Sequence, residues 1–307
     1  MYIGFDTSNY TTSVAMFDGE HIVQKKKLLT VKKGEKGLRQ SDAVFQHTAN
    51  LPALIKELDC PSVDAVSVST RPRNVDGSYM PCFLVGICAA ASAAQFSRAP
   101  MFETSHQVGH ILAALYSTDS LDLINEKFIA FHLSGGTTEA LLVTPHKEEI
   151  IKAEIIAQST DLKAGQAIDR TGVMLGLDFP CGKELDRLSQ LSDAEYKVKP
   201  SMKGIDCSLS GVENKAKKML DAGESKENIS RFVLTYVSKT VLSMLDGITS
   251  EYGKLPVVFS GGVSSNSLLR QIIRTKYDAL FAAPEFSLDN AAGVAIYGYL
   301  KAKQSNL

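Results

Sequence analysis

The 307-residue chain has few cysteines, no long apolar run and almost no net charge, and each absence removes a class of protein. Its five cysteines stand at wide, irregular spacings without a CxxC pair, so no disulfide framework is expected and a reducing cytoplasm is the simplest home. The longest apolar-leaning stretch, Cys82 to Ala94, contains Gly86 and Ser92 and is too short to cross a bilayer. The start, MYIGFDTS, lacks a basic segment followed by an apolar one, so no signal peptide is expected. A formal net charge of −1 supplies no global field for nucleic acid, and any such contact would need a local patch. What remains is ordinary for a soluble globular protein, with 44% hydrophobic and 22% charged residues. The length suits one large unit or two domains of about 150 residues each, enough to bury a sizeable core.

Two segments resemble each other. Ile3-Gly-Phe-Asp-Thr-Ser-Asn-Tyr-Thr-Thr-Ser-Val-Ala overlays Ile129-Ala-Phe-His-Leu-Ser-Gly-Gly-Thr-Thr-Glu-Ala-Leu without a gap, matching Ile, Phe, Ser, Thr and Thr. Each reads as a strand, a turn of small polar residues and a second strand, continuing as Val14–Phe17 and Ala140–Val143. Two unrelated hairpins would give the same pattern. A duplication would give two similar domains whose hairpin tips face each other across a cleft. Gly135 and Gly136 would let backbone N–H groups approach an anion and permit positive φ, while Thr7, Ser8, Thr137 and Thr138 add hydroxyls.

Elsewhere the pattern is α/β. Val63–Thr70 reads as a strand and Val85–Phe96 as a buried helix. Pro256–Ser260 reads as a short strand leading through Gly261, Gly262 and Asn266 into a helix over Leu268–Lys276, an arrangement that can contact an anion. The lysine-rich stretch Lys25–Lys36 reads as a solvated edge, with phosphate contact as the alternative. His106 and His110, four residues apart behind the capping candidates Thr104 and Ser105, share one helix face within reach of one ion. Imidazole suits zinc or iron, but HxxxH alone also serves packing, and a third ligand must come from elsewhere. Asp289 is the candidate, although its place before a helix over Ala291–Lys301 also suits an N-cap. Asp161 and Asp169, eight apart, suit nucleotide hydroxyls or a phosphate-bound Mg²⁺, or simply the surface of a helix.

Taken in order, these motifs resemble the TsaD (Gcp, glycoprotease-like) family almost end to end. Ile3–Ala15 is similar to its I-x-x-E-T-S opening, Ser105–Ala113 to H-x-x-G-H-x-x-A, and Leu133–Thr137 to V-S-G-G-H. Ala164–Leu177 with Pro180-Cys-Gly182 is similar to A-G-E-A-F-D-K-x-x-x-x-L-G-L-x-x-P-G-G. Cys207-Ser-Leu-Ser-Gly-Val is similar to F-S-F-S-G-L, Ser260–Arg270 to G-G-V-x-x-N-x-x-L-R, and Leu288-Asp289-Asn290 to T-D-N. The resemblance implies an actin-like fold of the sugar kinase, Hsp70 and actin type, with two similar RNase H-like domains around a nucleotide cleft. The expected division is residues 1–127, with the metal helix, and 128–307, with the nucleotide loops, the last helix packing back on the first domain. It implies that His106, His110 and Asp289 bind one iron or zinc ion. Leu133, Ser134, Gly135, Gly136 and Thr137 would contact phosphates; Asp169 and Asp186 would hold the ribose region, and Gly182 and Asn266 would frame the nucleoside. The implied ligand is ATP, AMP or a carbamoyl-adenylate, with Mg²⁺ as a possible companion of the nucleotide.

The implied reaction transfers a threonylcarbamoyl group from an adenylate to adenosine in certain tRNAs. A cation and backbone N–H groups can meet the charge on an AMP leaving group, so the missing Ser–His–Asp or Cys–His set is no obstacle. HxxxH lacks the glutamate of HExxH, so a protease reading gains nothing. The departures fall on the acceptor side. The family's opening E-T-S-C-D-E-T is Asp6-Thr-Ser-Asn9-Tyr10-Thr11-Thr12 here, with Tyr10 and Thr11 replacing the acidic pair. Thr137 replaces the loop histidine, Gln166 a glutamate, and Arg71–Pro81 the shorter G-P-G-L loop, where Arg71 and Arg73 suit phosphate or carboxylate contacts. The expectation is a divergent paralogue: a metal- and nucleotide-dependent carbamoyl-group transferase with an altered acceptor, working beside TsaB-like and TsaE-like subunits. Transfer RNA is the partner the resemblance names, without support from net charge. The alternative is a non-catalytic nucleotide-binding partner of such a complex. A kinase of the same fold fits less well, because no carboxylate base stands out.

Overall fold

The computed structural model describes residues 1–8, 10–31 and 38–305. Asn9 and residues 32–36 of the lysine-rich stretch lie outside them. The chain forms two compact units. The first comprises residues 1–126, 144–153 and 285–307, and the second 127–143 and 154–284.

The first unit is built on strands β1 (Tyr2–Asp6), β2 (Thr11–Phe17), β3 (Ile22–Leu28), β4 (Ala65–Arg71) and β5 (Met101–Ser105). Helices α1 (Gln40–Lys56), α2 (Phe83–Ser97) and α3 (His106–Ser117) are interleaved with them. The sheet order is β3-β2-β1-β4-β5, with β1 to β3 antiparallel and β4 and β5 parallel to β1. Every residue of β2 is buried, as expected of a strand covered on both faces. One face meets α1 and α2 through Ile3, Phe5, Val14, Val66, Val68, Leu51, Leu54, Ala90 and Ala94. Against the expectation of a buried helix, α2 also presents Leu84 and Phe96 to solvent, the latter 89% exposed.

The second unit carries β6 (Phe128–Leu133), β7 (Thr138–His146) as far as Val143, β8 (Ile150–Gln158) from Glu154, α4 (Ala164–Met174), α5 (Gly182–Ser189), β9 (Ser201–Lys203), β10 (Asp206–Ser208), α6 (Ser210–Asp221), α7 (Lys226–Tyr252), β11 (Val257–Ser260), α8 (Ser267–Arg274) and β12 (Ala279–Phe281). Its main sheet runs β12-β11-β6-β7-β8, with β7 antiparallel and β11 parallel to β6. Phe131, Phe259 and Phe281 lie opposite one another on three adjacent strands, stacked with centroids 4.7 and 4.9 Å apart. Such cross-strand pairing fixes register as well as burying area.

The internal repeat is therefore structural. The shift that lays Ile3 on Ile129 also carries the pair Ile3–Met16 onto Ile129–Leu142, and Asp6–Ser13 onto His132–Glu139. Hairpin register, strand order and the parallel neighbour of the first strand all agree between the units.

The last elements, α9 (Pro284–Ser287) and α10 (Ala292–Gln304), bring the end of the chain onto the first sheet. Helix α10 lies close on β1 because Gly4 has no side chain: a Cβ there would overlap the backbone of Ala295 and stand 2.7 Å from Ala291 O. Ser67 Oγ donates to Val294 O at 2.6 Å, tying the same helix to β4. Against α3, a Cβ on Gly293 would overlap Gly109 O, so glycine permits the crossing of the two helices. No helix among the described residues is long and apolar enough to cross a membrane.

Candidate metal centre and anion loop

Helix α3 starts where β5 ends. Ser105 is its cap, with its hydroxyl accepting from Val108 N at 3.2 Å, so the cap falls on the second of the two expected residues. The helix then presents His106 and His110 on one face, with their Nε2 atoms 2.9 Å apart. Asp289 arrives from the connection between α9 and α10, with Oδ1 at 3.3 Å from His110 Nε2 and 3.6 Å from His106 Nε2. One ligand atom from each residue lies within 4.8 Å of the others. Asp289 does not cap α10: the residue before the helix is Ala291, and Asn290 Oδ1 accepts from Ala292 N at 3.0 Å.

Asp6 stands behind His106. It is 1% exposed, its Oδ2 is 2.8 Å from His106 Nδ1, and its Oδ1 accepts from Ser8 N at 2.8 Å. A carboxylate at Nδ1 holds the proton on that nitrogen and leaves the Nε2 lone pair facing outward, the usual support for a metal-binding imidazole. Sequence reading placed Asp6 only as part of the opening motif. Its place as the last residue of β1, opening the turn into β2, is the one signal the sequence offers.

Electrostatics describe a site that collects positive charge. Burial opposes the His106 imidazolium, yet Asp6 and Asp289 outweigh it and push the pKa up to about 10. Asp289 is held well below the usual carboxylate range: burial works against ionisation, and the two histidines overcome it. Asp6 is lowered in the same way, burial being outweighed mainly by His106. Two imidazole nitrogens at hydrogen-bonding distance need either a proton or a cation between them, and two neutral lone pairs would repel. Nitrogen, nitrogen and carboxylate oxygen form a donor set suited to a divalent transition ion, so the residues fit the implied metal.

One substituted position, Thr11, and the retained Ser8 are next to this set. Thr11 Oγ1 donates to Asp289 Oδ2 at 3.4 Å, and Ser8 Oγ is 3.4 Å from His106 Nε2. Thr7, expected among the hydroxyls of the hairpin tip, is fully buried and its hydroxyl is engaged internally: it donates to Cys82 O at 2.9 Å and accepts from Gly86 N at 3.1 Å. The Arg71–Pro81 loop is tied to the metal helix, because Pro72 O accepts from Gln107 N at 3.0 Å. Arg71 Nη1 donates to Thr70 Oγ1 at 3.0 Å, and Arg73 N donates to Ser78 Oγ at 3.1 Å.

In the second unit, Leu133–Thr137 forms the turn between β6 and β7. Ser134 N donates to Thr137 O at 2.8 Å, and Thr137 N donates to Ser134 Oγ at 3.1 Å. Gly135 and Gly136 are exposed, and neither has positive φ, contrary to one reason for expecting glycine there. Close packing requires glycine around them instead. A Cβ on Gly165, in the first turn of α4, would stand 2.7 Å from Gly135 N and Cα. Gly261, at φ +89°, leaves no room for a Cβ beside Leu133 O. The N-terminus of α4 thus faces the turn, where its dipole favours an anion. Thr138 Oγ1 accepts from Ala164 N at 2.8 Å and holds that helix start in place.

The remaining nucleotide candidates have internal partners. Asp169 Oδ1 accepts from Cys181 N at 2.8 Å; burial raises its pKa and this hydrogen bond works the other way. Asp186 accepts from Ser267 N at 3.0 Å and Ser267 Oγ at 2.8 Å, joining α5 to the start of α8. Asn266 is the cap of α8, accepting from Leu269 N at 3.0 Å, and Gly182 opens α5. Asp161 serves structure: it accepts from Leu162 N at 2.6 Å, Leu209 N at 2.8 Å and Ser208 Oγ at 2.5 Å, and these bonds outweigh burial to lower its pKa.

A family model described as tRNA N6-adenosine threonylcarbamoyltransferase, TsaD, matches residues 23–296. Among solved structures, the chain is similar to an activator of 2-hydroxyisocaproyl-CoA dehydratase from Clostridium difficile with bound ADPNP. That match has a TM-score of 0.55 and 18% identity, covering 100% of this chain and 97% of that one. HypF in a phosphate- and nucleotide-bound form matches at TM-score 0.62 and 15% identity, over 98% of this chain but 55% of HypF. A ROK family glucokinase from Streptomyces griseus, in complex with glucose and AMPPNP, matches at 0.51 and 12%, over 97% of this chain and 98% of that one. At such identities the likeness is one of fold, and the fold is actin-like α/β.

Proposed function

The chain belongs to the TsaD family, described as tRNA N6-adenosine threonylcarbamoyltransferase, and from that premise we propose that it is a metal- and nucleotide-dependent carbamoyl-group transferase with an altered acceptor. The observation that carries this reading is the convergence of His106, His110 and Asp289 with Asp6 bonded behind His106. A divalent iron or zinc ion held by those three residues supplies Lewis acidity toward a carbonyl or phosphate oxygen. Asp6 keeps the proton of His106 on Nδ1, and α3 fixes the imidazole spacing.

In the second unit, the Leu133–Thr137 turn takes the phosphates of ATP, AMP or a carbamoyl-adenylate. Gly135 and Gly136 give the approach, and the α4 N-terminus favours the negative charge. Asp169, Gly182, Asp186 and Asn266 form the nucleoside side, Asp186 joining α5 to Ser267 at the start of α8 and Asn266 capping that helix. No side chain has to act as a nucleophile, because transfer from an adenylate needs orientation and charge stabilisation above all. TsaB-like and TsaE-like partners belong to the same reading.

The test is AMP release. Metal-loaded protein is mixed with a carbamoyl-adenylate and either total RNA or a pool of small nucleophiles, and products are followed by chromatography and mass spectrometry. The proposal expects AMP and a carbamoylated product, both lost in Asp289→Ala. No AMP above the blank with any acceptor, from protein carrying its metal, contradicts it.

A second reading, a non-catalytic nucleotide-binding subunit, is favoured by one observation. Thr11 stands in place of a family carboxylate and bonds to Asp289 itself. Complementation of a TsaD-depleted strain separates the two: rescue that depends on Asp289 excludes a purely structural role.

A further inference from the structure

The three ligands of the proposed cation site are not equally held. His106 and His110 ride on a regular helix, and Asp6 fixes the first of them. Asp289 lies in the short connection between α9, a single turn, and α10. Asn290 stitches that connection internally, donating to Phe286 O at 3.2 Å and Leu288 O at 2.6 Å. Those bonds keep its local shape but do not attach it to the sheet.

Thr11 on β2 donates to Asp289 Oδ2 at 3.4 Å, and Phe286 packs edge-on against Tyr116 of α3 with ring centroids 5.4 Å apart; a further attachment, to the connection's backbone, comes from β3. Lys26 Nζ donates to Glu285 O at 3.0 Å, across 259 residues of sequence. Burial pulls the Lys26 ammonium below its usual range, and the nearby Glu285 and Asp289 carboxylates work the other way. Lys26 stands opposite Ser13 on β2, and Ser13 stands opposite Asp6 on β1. Directly opposed residues project from the same sheet face, so Asp6, Ser13 and Lys26 form one row across three strands. One end of that row fixes His106, and the other holds the connection that carries Asp289. Lys25 and Lys27 project from the opposite face, and Lys25 pairs with Glu57 at 3.3 Å.

We infer that Lys26 is a positioning residue for the cation site, clamping the α9–α10 connection so that Asp289 meets the histidine pair. This rests on the cation-site reading proposed above. The sign of the effect makes the inference testable. If Lys26 acted only through its charge, removing a positive group near Asp289 would strengthen cation binding. If it positions Asp289, removal weakens binding even though repulsion is relieved.

The experiment titrates metal-free protein with Co²⁺, read by its ligand-field absorption, in wild type, Lys26→Met, Lys26→Arg and Lys27→Met, with thermal melts alongside. Positioning predicts about tenfold weaker Co²⁺ binding and an altered absorption band in Lys26→Met, as for other residues that orient metal ligands. Lys26→Arg, which can still donate to Glu285 O, recovers most of the affinity, and Lys27→Met behaves as wild type. Melting temperatures of the metal-free variants stay together. Unchanged or tighter Co²⁺ binding in Lys26→Met, beside a normal wild-type site that is lost in His110→Ala, overturns the Lys26 inference alone. A wild-type protein with no Co²⁺ site sensitive to His110→Ala overturns the cation-site reading and this inference together.

Discussion

Replacing Asp6 by asparagine changes one oxygen to an NH₂ group and almost nothing in volume, so its effect can be worked out atom by atom. Asp6 uses both oxygens as acceptors, one for Ser8 N and one at His106 Nδ1, each at 2.8 Å. Asparagine offers one acceptor and one donor. If its oxygen stays with His106, the NH₂ confronts the Ser8 N–H, leaving a buried donor unsatisfied at about 1–3 kcal/mol. If its oxygen goes to Ser8, the NH₂ meets His106 Nδ1, the ring proton moves to Nε2, and the nitrogen aimed at His110 and Asp289 no longer has a lone pair. Either arrangement weakens the cation site, and loss of such a supporting carboxylate costs about 10–100-fold in metal affinity, or roughly 1.4–2.7 kcal/mol. Competition against a chromophoric chelator measures this directly, with circular dichroism confirming that the variant is folded. Asp6→Asn that is folded and binds Zn²⁺ within about twofold of wild type would refute the argument that Asp6 orients His106 for a cation.

Three further outcomes follow from the packing and the charges. Gly293→Ala places a methyl group on Gly109 O, so α3 and α10 must separate; we expect a loss of about 1–3 kcal/mol in urea unfolding together with weaker metal binding. Unchanged values for both would show that the crossing can relax. Gly165→Ala puts its methyl against Gly135 and should weaken ATP binding by calorimetry while leaving metal content alone, because the metal ligands belong to the other unit. Equal ATP affinity would remove the anion role from the Leu133–Thr137 turn. His47 is fully buried beside Thr12, and burial pulls its pKa down to about 4, with Asp6 acting weakly against it. A folded-state pKa below the unfolded value means that its neutral form contributes stability above about pH 6.5, and that this is lost as pH falls toward about 4. Urea midpoints should decline across that window in metal-free protein, less steeply in His47→Gln. Parallel declines would assign the effect to other groups.

The parts legible in sequence were those with a short repeat or a short-range pattern. The paired hairpins showed because identical residues recur at one constant offset, and the structure preserves the hairpin register under that offset. The histidine pair showed because both residues sit on one helix at a four-residue spacing. Asp289, 179 residues beyond His110, stood out only as a candidate that suited a helix cap equally well, and the family resemblance is what joined it to the histidines. Asp6 and Lys26 were hidden for a related reason: their roles come from cross-strand register and from a contact with the end of the chain. The burial of Thr7 was not legible because it follows from contacts with the start of α2, where its hydroxyl serves Cys82 O and Gly86 N. Asp161 was ambiguous between surface and site, and tertiary contacts with the β10–α6 junction gave it a third role as a backbone anchor.

The most direct test of the account is metal analysis of the protein purified without oxygen or chelators, by mass spectrometry of the ion per chain. The account predicts about one iron or zinc ion for wild type and close to none for His110→Ala and Asp289→Ala. A folded wild-type protein that retains no ion after incubation with either metal, or variants that keep the wild-type amount, would contradict it.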